Sequence, residues 1–87
     1  MTRQEIVEKL RALMKKSSPK QVDWSAMSEQ TEIATLGFDS LSILDLVYDI
    51  QQGFGLEFDA EEVAGVETVA DMVTFLDGKL KSAAGQG

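Results

Sequence analysis

The feature that most constrains this chain is an apolar spacing that occurs twice. Ile43, Leu46, Val47, Ile50 and Phe54 recur at i, i+3, i+4, i+7 and i+11, and Val69, Met72, Val73, Leu76 and Leu80 repeat the same intervals. A period near 3.6 puts each set on one face of an α-helix, and such faces must be buried against partners. Ile6, Leu10, Leu13 and Met14 supply a third face. A first helix is predicted from Thr2 to Lys16, with Thr2 and Glu5 in capping-box positions and Lys15 and Lys16 at the negative end of the dipole. A second starts at Asp39 or Ser40, with Gly53 as its expected terminator. Asp59 and Glu62 cap a short third helix that Gly65 ends, and Thr68 with Asp71 opens the last. The prediction is an all-α, small four-helix bundle with three longer helices and a short helix III. Residues 1–81 form its single domain and 82–87, "SAAGQG", a flexible C-terminal tail.

Between the first two helices lies an awkward stretch, Ser17 to Phe38, with one proline and no sustained period. A loop of that length in a compact domain must be functional or pinned down. Trp24, Met27, Ile33, Leu36 and Phe38 are the expected pins, with Trp24 laid over the bundle as an anchor.

Several chemistries are excluded early. The 87 residues contain no cysteine and no histidine, which removes disulfides, thiolate chemistry, the commonest metal ligands and the commonest general base. No metal site is expected: "EFDAEE" lacks the alternating oxygen ligands, central glycine and terminal glutamate of a calcium loop. No apolar run reaches membrane-spanning length and the opening "MTRQEIVEKL" is unlike a signal peptide, so a cytoplasmic protein without membrane insertion is expected. Charge is strongly partitioned. Residues 1–20 carry six cations and two acids, whereas Gln21 to Gly78 carry thirteen acids and no lysine or arginine. Such a surface repels nucleic acid and favours basic partners, or else serves solubility alone.

Ser40 directly follows Asp39 at the mouth of the second helix, in "GFDSL". One reading is a helix cap, with Asp39 at the N-cap and Ser40 at the first helical position. A serine hydrolase needs a base to activate the nucleophile, and without histidine the usual triad cannot form. The other reading is a serine that a second enzyme modifies: the helix dipole and first-turn amides would accommodate a phosphodiester there.

The segment "LGFDSLSILDLVYDIQQGFGLEF" resembles the acyl carrier protein family, whose mark is a Gly-x-Asp-Ser-Leu motif at the start of the second helix. The resemblance covers nearly the whole chain: a helical opening, a long first loop, "LGFDSL", "FGLEF", the short acidic "DAEEVAG" and the closing "VETVADMVTFL". It implies that Ser40, flanked by Asp39 and Leu41, carries 4′-phosphopantetheine transferred from coenzyme A. The thiol of that arm would hold an acyl chain as a thioester, so the chain is a carrier and no enzyme. The implied partners are a phosphopantetheinyl transferase, ketosynthases, acyltransferases and other acyl-processing enzymes with basic docking surfaces, met by a monomer.

On the second helix, Leu41, Leu44 and Tyr48 lie off the inward face, with Asp45 and Asp49 beside them. The resemblance makes Asp39, Leu41, Leu44, Asp45, Tyr48 and Asp49, with Glu61 and Glu62 of the short helix, the partner face. It also implies an acyl pocket, for which Ile43, Val47, Phe54, Val63, Val66 and Val69 are the candidates; periodicity by itself labels them core. One departure stands out. Where many members continue with glutamates, this chain has Gln51 and Gln52, and Ser42 replaces a frequent acid. That points to a dedicated partner set in a specialised lipid, polyketide or envelope pathway. Two alternatives remain: a peptidyl or aminoacyl carrier, and an unmodified acidic adaptor for a basic partner. The methionine start and four-helix span suit a free-standing protein.

The crowding of thirteen acids into residues 21–78 has a measurable consequence. Moderate salt or divalent cations are expected to raise the melting temperature by screening self-repulsion. A melting temperature that stays flat or falls with added salt would show the acids to be well separated or already paired.

Overall fold

The computed structural model describes residues 2–18, 22–38 and 41–85, the last three by backbone alone. Helix α1 runs Arg3–Ser17, α2 Ser42–Phe54 and α3 Val69–Gly85. The expected capping box opens α1: the Thr2 N–H donates to Glu5 Oε1 at 2.8 Å, and the Glu5 N–H donates to Thr2 Oγ1 at 3.1 Å. The Thr2 backbone N–H foremost, with the Thr2 side chain second, holds the Glu5 carboxyl below its ordinary value. Ile6, Leu10 and Met14 of α1 are wholly buried. Both α2 and α3 pack on α1 and make few contacts with one another. The all-α architecture is therefore a spine with two flanking helices, and the described residues include no strand beyond one isolated bridge.

Two boundaries differ from the sequence expectation. Helix α2 passes through Gly53 and ends at Gly55, whose φ of 66° is left-handed and whose neighbour Leu56 donates its N–H to the Gln51 carbonyl at 3.1 Å. Gly53 serves packing instead. A β-carbon there would lie 2.9 Å from Leu13 Cδ1, so the missing side chain lets α1 approach α2 closely. Described α2 begins at Ser42 after Leu41; the expected starts, Asp39 and Ser40, lie outside the described residues. The short third helix is a single 3₁₀ turn, Ala60–Val63. Its bonds are of the i→i+3 type, from Glu62 N–H to the Asp59 carbonyl at 3.0 Å and from Ala64 N–H to the Glu61 carbonyl at 3.3 Å. Between the Asp59 cap and the Ala64 C-cap the turn holds only four residues, and Val63 is the one among them that is buried. At the other end, α3 runs through Gly85, four residues into the stretch read as tail.

The long first loop is pinned as anticipated. Met27, Ile33, Leu36 and Phe38 are buried, and half-buried Trp24 packs against the same core. Two 3₁₀ turns, Trp24–Ala26 and Ile33–Leu36, organise it, the second closed by Gly37 at a φ of 94°. Backbone pairing then stitches the loop to the start of α3. The Ile33 N–H donates to the Glu67 carbonyl at 2.9 Å, Val69 N–H to Thr31 at 2.9 Å and Ala70 N–H to Glu29 at 2.8 Å. Asp71 N–H donates to Thr68 Oγ1 at 3.2 Å. The first donors of α3, which no helix satisfies internally, thus all find acceptors. Arg3 joins α1 to this seam, reaching Thr74 Oγ1 at 3.1 Å and Glu29 Oε1 at 2.5 Å.

The spine is the place to test this packing. Truncating fully buried Leu10 of this spine to alanine leaves a cavity in the core and is expected to cost about 2–5 kcal/mol. Equilibrium denaturant unfolding of Leu10→Ala checks it; a loss below about 1 kcal/mol would mean that α1 is not the element on which the others rest.

Candidate functional site

A gap lies between α2 and the start of α3, and no residue of α1 borders it. The first loop and the segment 60–67 wall this gap, leaving a half-open cavity of about 520 Å³. Phe38, Ile43 and Val47 line it from the α2 side, and Val63, Val66 and Met72 from the other. Ile33 and three alanines complete the apolar wall, and among the described residues the charged side chains at its edge are Glu32 and Glu67.

Four of the six predicted pocket residues, Ile43, Val47, Val63 and Val66, are brought together here. Phe54 is not: it is half-buried on the α1 side, with Lys9 Nζ 5.0 Å from its ring centroid. Val69 is also elsewhere, wholly buried in the core. The α3 residue that lines the cavity is Met72, one turn further on. Sequence pattern alone places Met72 in the core and Ile33 and Phe38 among the pins; nothing local in the sequence reveals that the three line one cavity.

At the start and on the outer face of α2, Leu41, Leu44 and Tyr48 are 76%, 52% and 61% exposed, and among the described residues they are the large apolar side chains left on the surface. Asp45 and Glu61 are exposed nearby in sequence to this strip and to the 3₁₀ turn respectively. Two other acids predicted for the partner face have internal duties. Asp49 is half-buried and accepts a hydrogen bond from the Ser17 hydroxyl, tying α2 to the end of α1. Glu62 accepts from Lys79 Nζ at 2.8 Å and from the Asp59 N–H at 2.8 Å. The Lys79 bond and the Asp59 N–H hold the Glu62 carboxyl below its ordinary value of 4.5. Asp39 and Ser40 lie outside the described residues. Their described neighbours differ sharply: Phe38 is buried in the cavity wall, whereas Leu41 stands out from the surface.

The 3₁₀ turn is thus latched to α3. Lys79 Nζ also sits 5.5 Å from the Phe75 ring, and Phe75 meets Phe58 edge-on at 5.0 Å between centroids. The Gln51 side chain donates to the Phe58 carbonyl from the opposite side. One wall of the cavity is therefore held by side chains from both α2 and α3.

These features have close parallels. The model of the phosphopantetheine attachment site family matches residues 5–76. An acyl carrier protein of Thermotoga maritima is 35% identical over 80 residues, covering 91% of this chain and 96% of its own. The chain belongs to the acyl carrier protein family. An anthracycline acyl carrier protein of Streptomyces peucetius is 33% identical over 76 residues, covering 86% of this chain and 90% of its own. The crystal structure of an acyl carrier protein from Thermotoga maritima matches the fold with a TM-score of 0.78 at 25% identity, covering 93% of each chain. Membership makes this chain a non-catalytic carrier whose cofactor is 4′-phosphopantetheine, and which deals with acyl-processing enzymes. Among the described residues no helix is long and apolar enough to cross a membrane.

The latch gives a signed pH dependence. A carboxyl whose folded value is depressed stabilises above its unfolded value and loses that contribution as pH falls through the folded one. Lys79→Met, which keeps the apolar stem over Phe75, is expected to speed amide exchange of Val63, Ala64 and Val66 a few-fold at neutral pH. The gap from wild type is expected to close as pH drops below 4.5. Exchange rates that are equal at neutral pH would show that Lys79 does not restrain the turn.

Proposed function

We propose that Ser40 receives the 4′-phosphopantetheine arm and that the chain presents acyl intermediates, held as thioesters, to fatty-acid, polyketide or related lipid-synthesis enzymes. The observation that carries this reading is the contrast across the attachment motif: Phe38 and Ile43 line the apolar cavity, while Leu41 between them is 76% exposed. A group attached within that stretch has an apolar shelter on one side and solvent on the other. The bound arm supplies the thiol that a chain without cysteine lacks. The cavity, apolar along its α2 and α3 walls, fits a hydrocarbon cargo on such an arm.

Leu41, Leu44 and Tyr48, with Asp45, Asp39 and Glu61, form the docking face for a phosphopantetheinyl transferase, ketosynthases and acyltransferases bearing basic surfaces. Asp49 and Glu62 support that face from behind through Ser17 and Lys79. The uncharged Gln51 and Gln52 near the end of α2 support a dedicated partner set in a specialised pathway, since charges at the rim tune association rate and partner choice. The similarity to an anthracycline carrier supports placing polyketide enzymes within that set. A monomer in the cytoplasm suits a core that three helices cover and a surface whose large exposed apolar side chains lie in one strip.

Intact mass of wild type and Ser40→Ala after incubation with coenzyme A and a broad-specificity phosphopantetheinyl transferase tests the assignment. One phosphopantetheinyl addition to wild type and none to the variant is the expected result. No addition to folded wild type with several transferases would leave an acidic adaptor as the better reading.

A further inference from the structure

The sign of the surface changes along α2. Asp45 is exposed beside Leu41 and Leu44, whereas the last turn, Gln51 to Phe54, carries no charge. Cations reach that end from the neighbouring helix. α1 lies antiparallel against α2: Ser17 bonds Asp49, Leu13 packs at Gly53, and Lys9 Nζ stands 5.0 Å from the Phe54 ring. Lys9 and Lys16, two turns apart, share one face of α1, and both are exposed. Leu13 neighbours both of them on the helix surface, which sets the two lysines along the solvent edge of the α1–α2 contact. Asp45, Tyr48 and Gln52, all exposed, occupy the facing edge of α2 at i, i+3 and i+7.

These lysines have little to do inside the molecule. The ion pairs among the described residues use Arg3, Lys79 and Lys81, so no described carboxylate answers Lys9 or Lys16. From Lys9 to Val22 the sequence contains no acid. The negative end of α2 is served by a cation only within its last turn, where Lys9 stands. Lys16, next to the Ser17 that bonds Asp49, lies short of that turn.

We infer that the docking face crosses the α1–α2 junction to Lys9 and Lys16 and fits an enzyme surface of two signs. That surface is basic opposite Asp45 and acidic opposite the lysines, about 10 Å further along the helix axis. The inference rests on the docking strip of the proposed function and adds the kind of partner. A partner that is basic throughout meets Asp45 favourably but both lysines unfavourably, so the same face that recruits one enzyme rejects another.

Two helical peptides sharing one apolar face serve as probes. One carries lysines along its whole flank; the other carries lysines at one end and glutamates about 10 Å away. Each is titrated at low ionic strength onto ¹⁵N-labelled wild type and Lys9→Glu/Lys16→Glu, with Ser40 unmodified. The two-signed peptide is expected to bind the variant several-fold more weakly than wild type, although the variant is the more acidic protein. The all-lysine peptide is expected to bind it several-fold more tightly. A nitroxide at the glutamate end is expected to broaden the Lys16 and Gln52 amides of wild type more than that of Leu44. Affinities that stay unchanged or tighten for both peptides overturn the inference, as does broadening centred on Leu44. Should the double reversal unfold α1, Lys9→Gln/Lys16→Gln is expected to give the same signs with smaller changes. Absence of binding by both peptides would remove the docking strip and this inference together. Loading at Ser40, read separately by mass, is independent of every one of these outcomes.

Discussion

The seam between the first loop and the start of α3 is the interaction on which the rest of the molecule depends. Twenty-odd residues without a regular period cross the bundle here, and three backbone hydrogen bonds from Ile33, Val69 and Ala70 fix their far end. The bonds solve two problems together. They give the loop a place, and they satisfy helix donors that would otherwise face water or stay unpaired. Arg3 fastens the first turn of α1 to the same seam through Glu29 and Thr74. Because the loop is held at that point, Ile33 and Phe38 are available to form one wall of a cavity rather than fill the gap between α2 and α3.

The charge partition follows the same logic. Two cations are placed at joints, Arg3 on Glu29 and Lys79 on Glu62 at 2.8 Å, whereas Lys81 pairs with Asp77 within α3 at 3.0 Å. Exposed pairs of this kind contribute little to global stability, but they decide the local position of the segments they join. Glu62 shows this best, since it closes the box at Asp59 and answers Lys79 across seventeen residues. On the proposed reading, exposed Leu41, Leu44, Asp45 and Tyr48 of the outer strip are left to meet other molecules.

What is legible in the sequence is local. The capping residues at Thr2, Asp59 and Thr68 can be read because their partners lie three residues away, and the apolar stripes because a helix repeats its own face. The attachment motif is legible for a different reason, since it marks a family. What escapes depends on residues distant in the chain. Gly53 reads as a stop because nothing in its vicinity reveals Leu13, and Gly55 does the stopping. Asp49 reads as part of the outer strip because Ser17, thirty-two positions earlier, cannot be foreseen as its donor. Val69 and Phe54 are pocket candidates through the family resemblance, and periodicity, which finds an inward face without saying whether that face meets core or cavity, cannot remove them. Met72 meets the cavity, and only the splay of the helices can show it.

A cleft of about 520 Å³ beside a core this small also changes what counts as the folded protein. Atoms that line a gap lack partners on one side, and the dispersion energy they forgo is recovered when something fills it. A chain that carries its own filling on a tether therefore has two native forms of unequal durability, differing by whatever the cargo contributes to the interior. Anything bound by the folded state alone stabilises that state. On the proposed reading, the carrier's resistance to unfolding becomes a gauge of its load, and each delivery to an enzyme withdraws part of its interior.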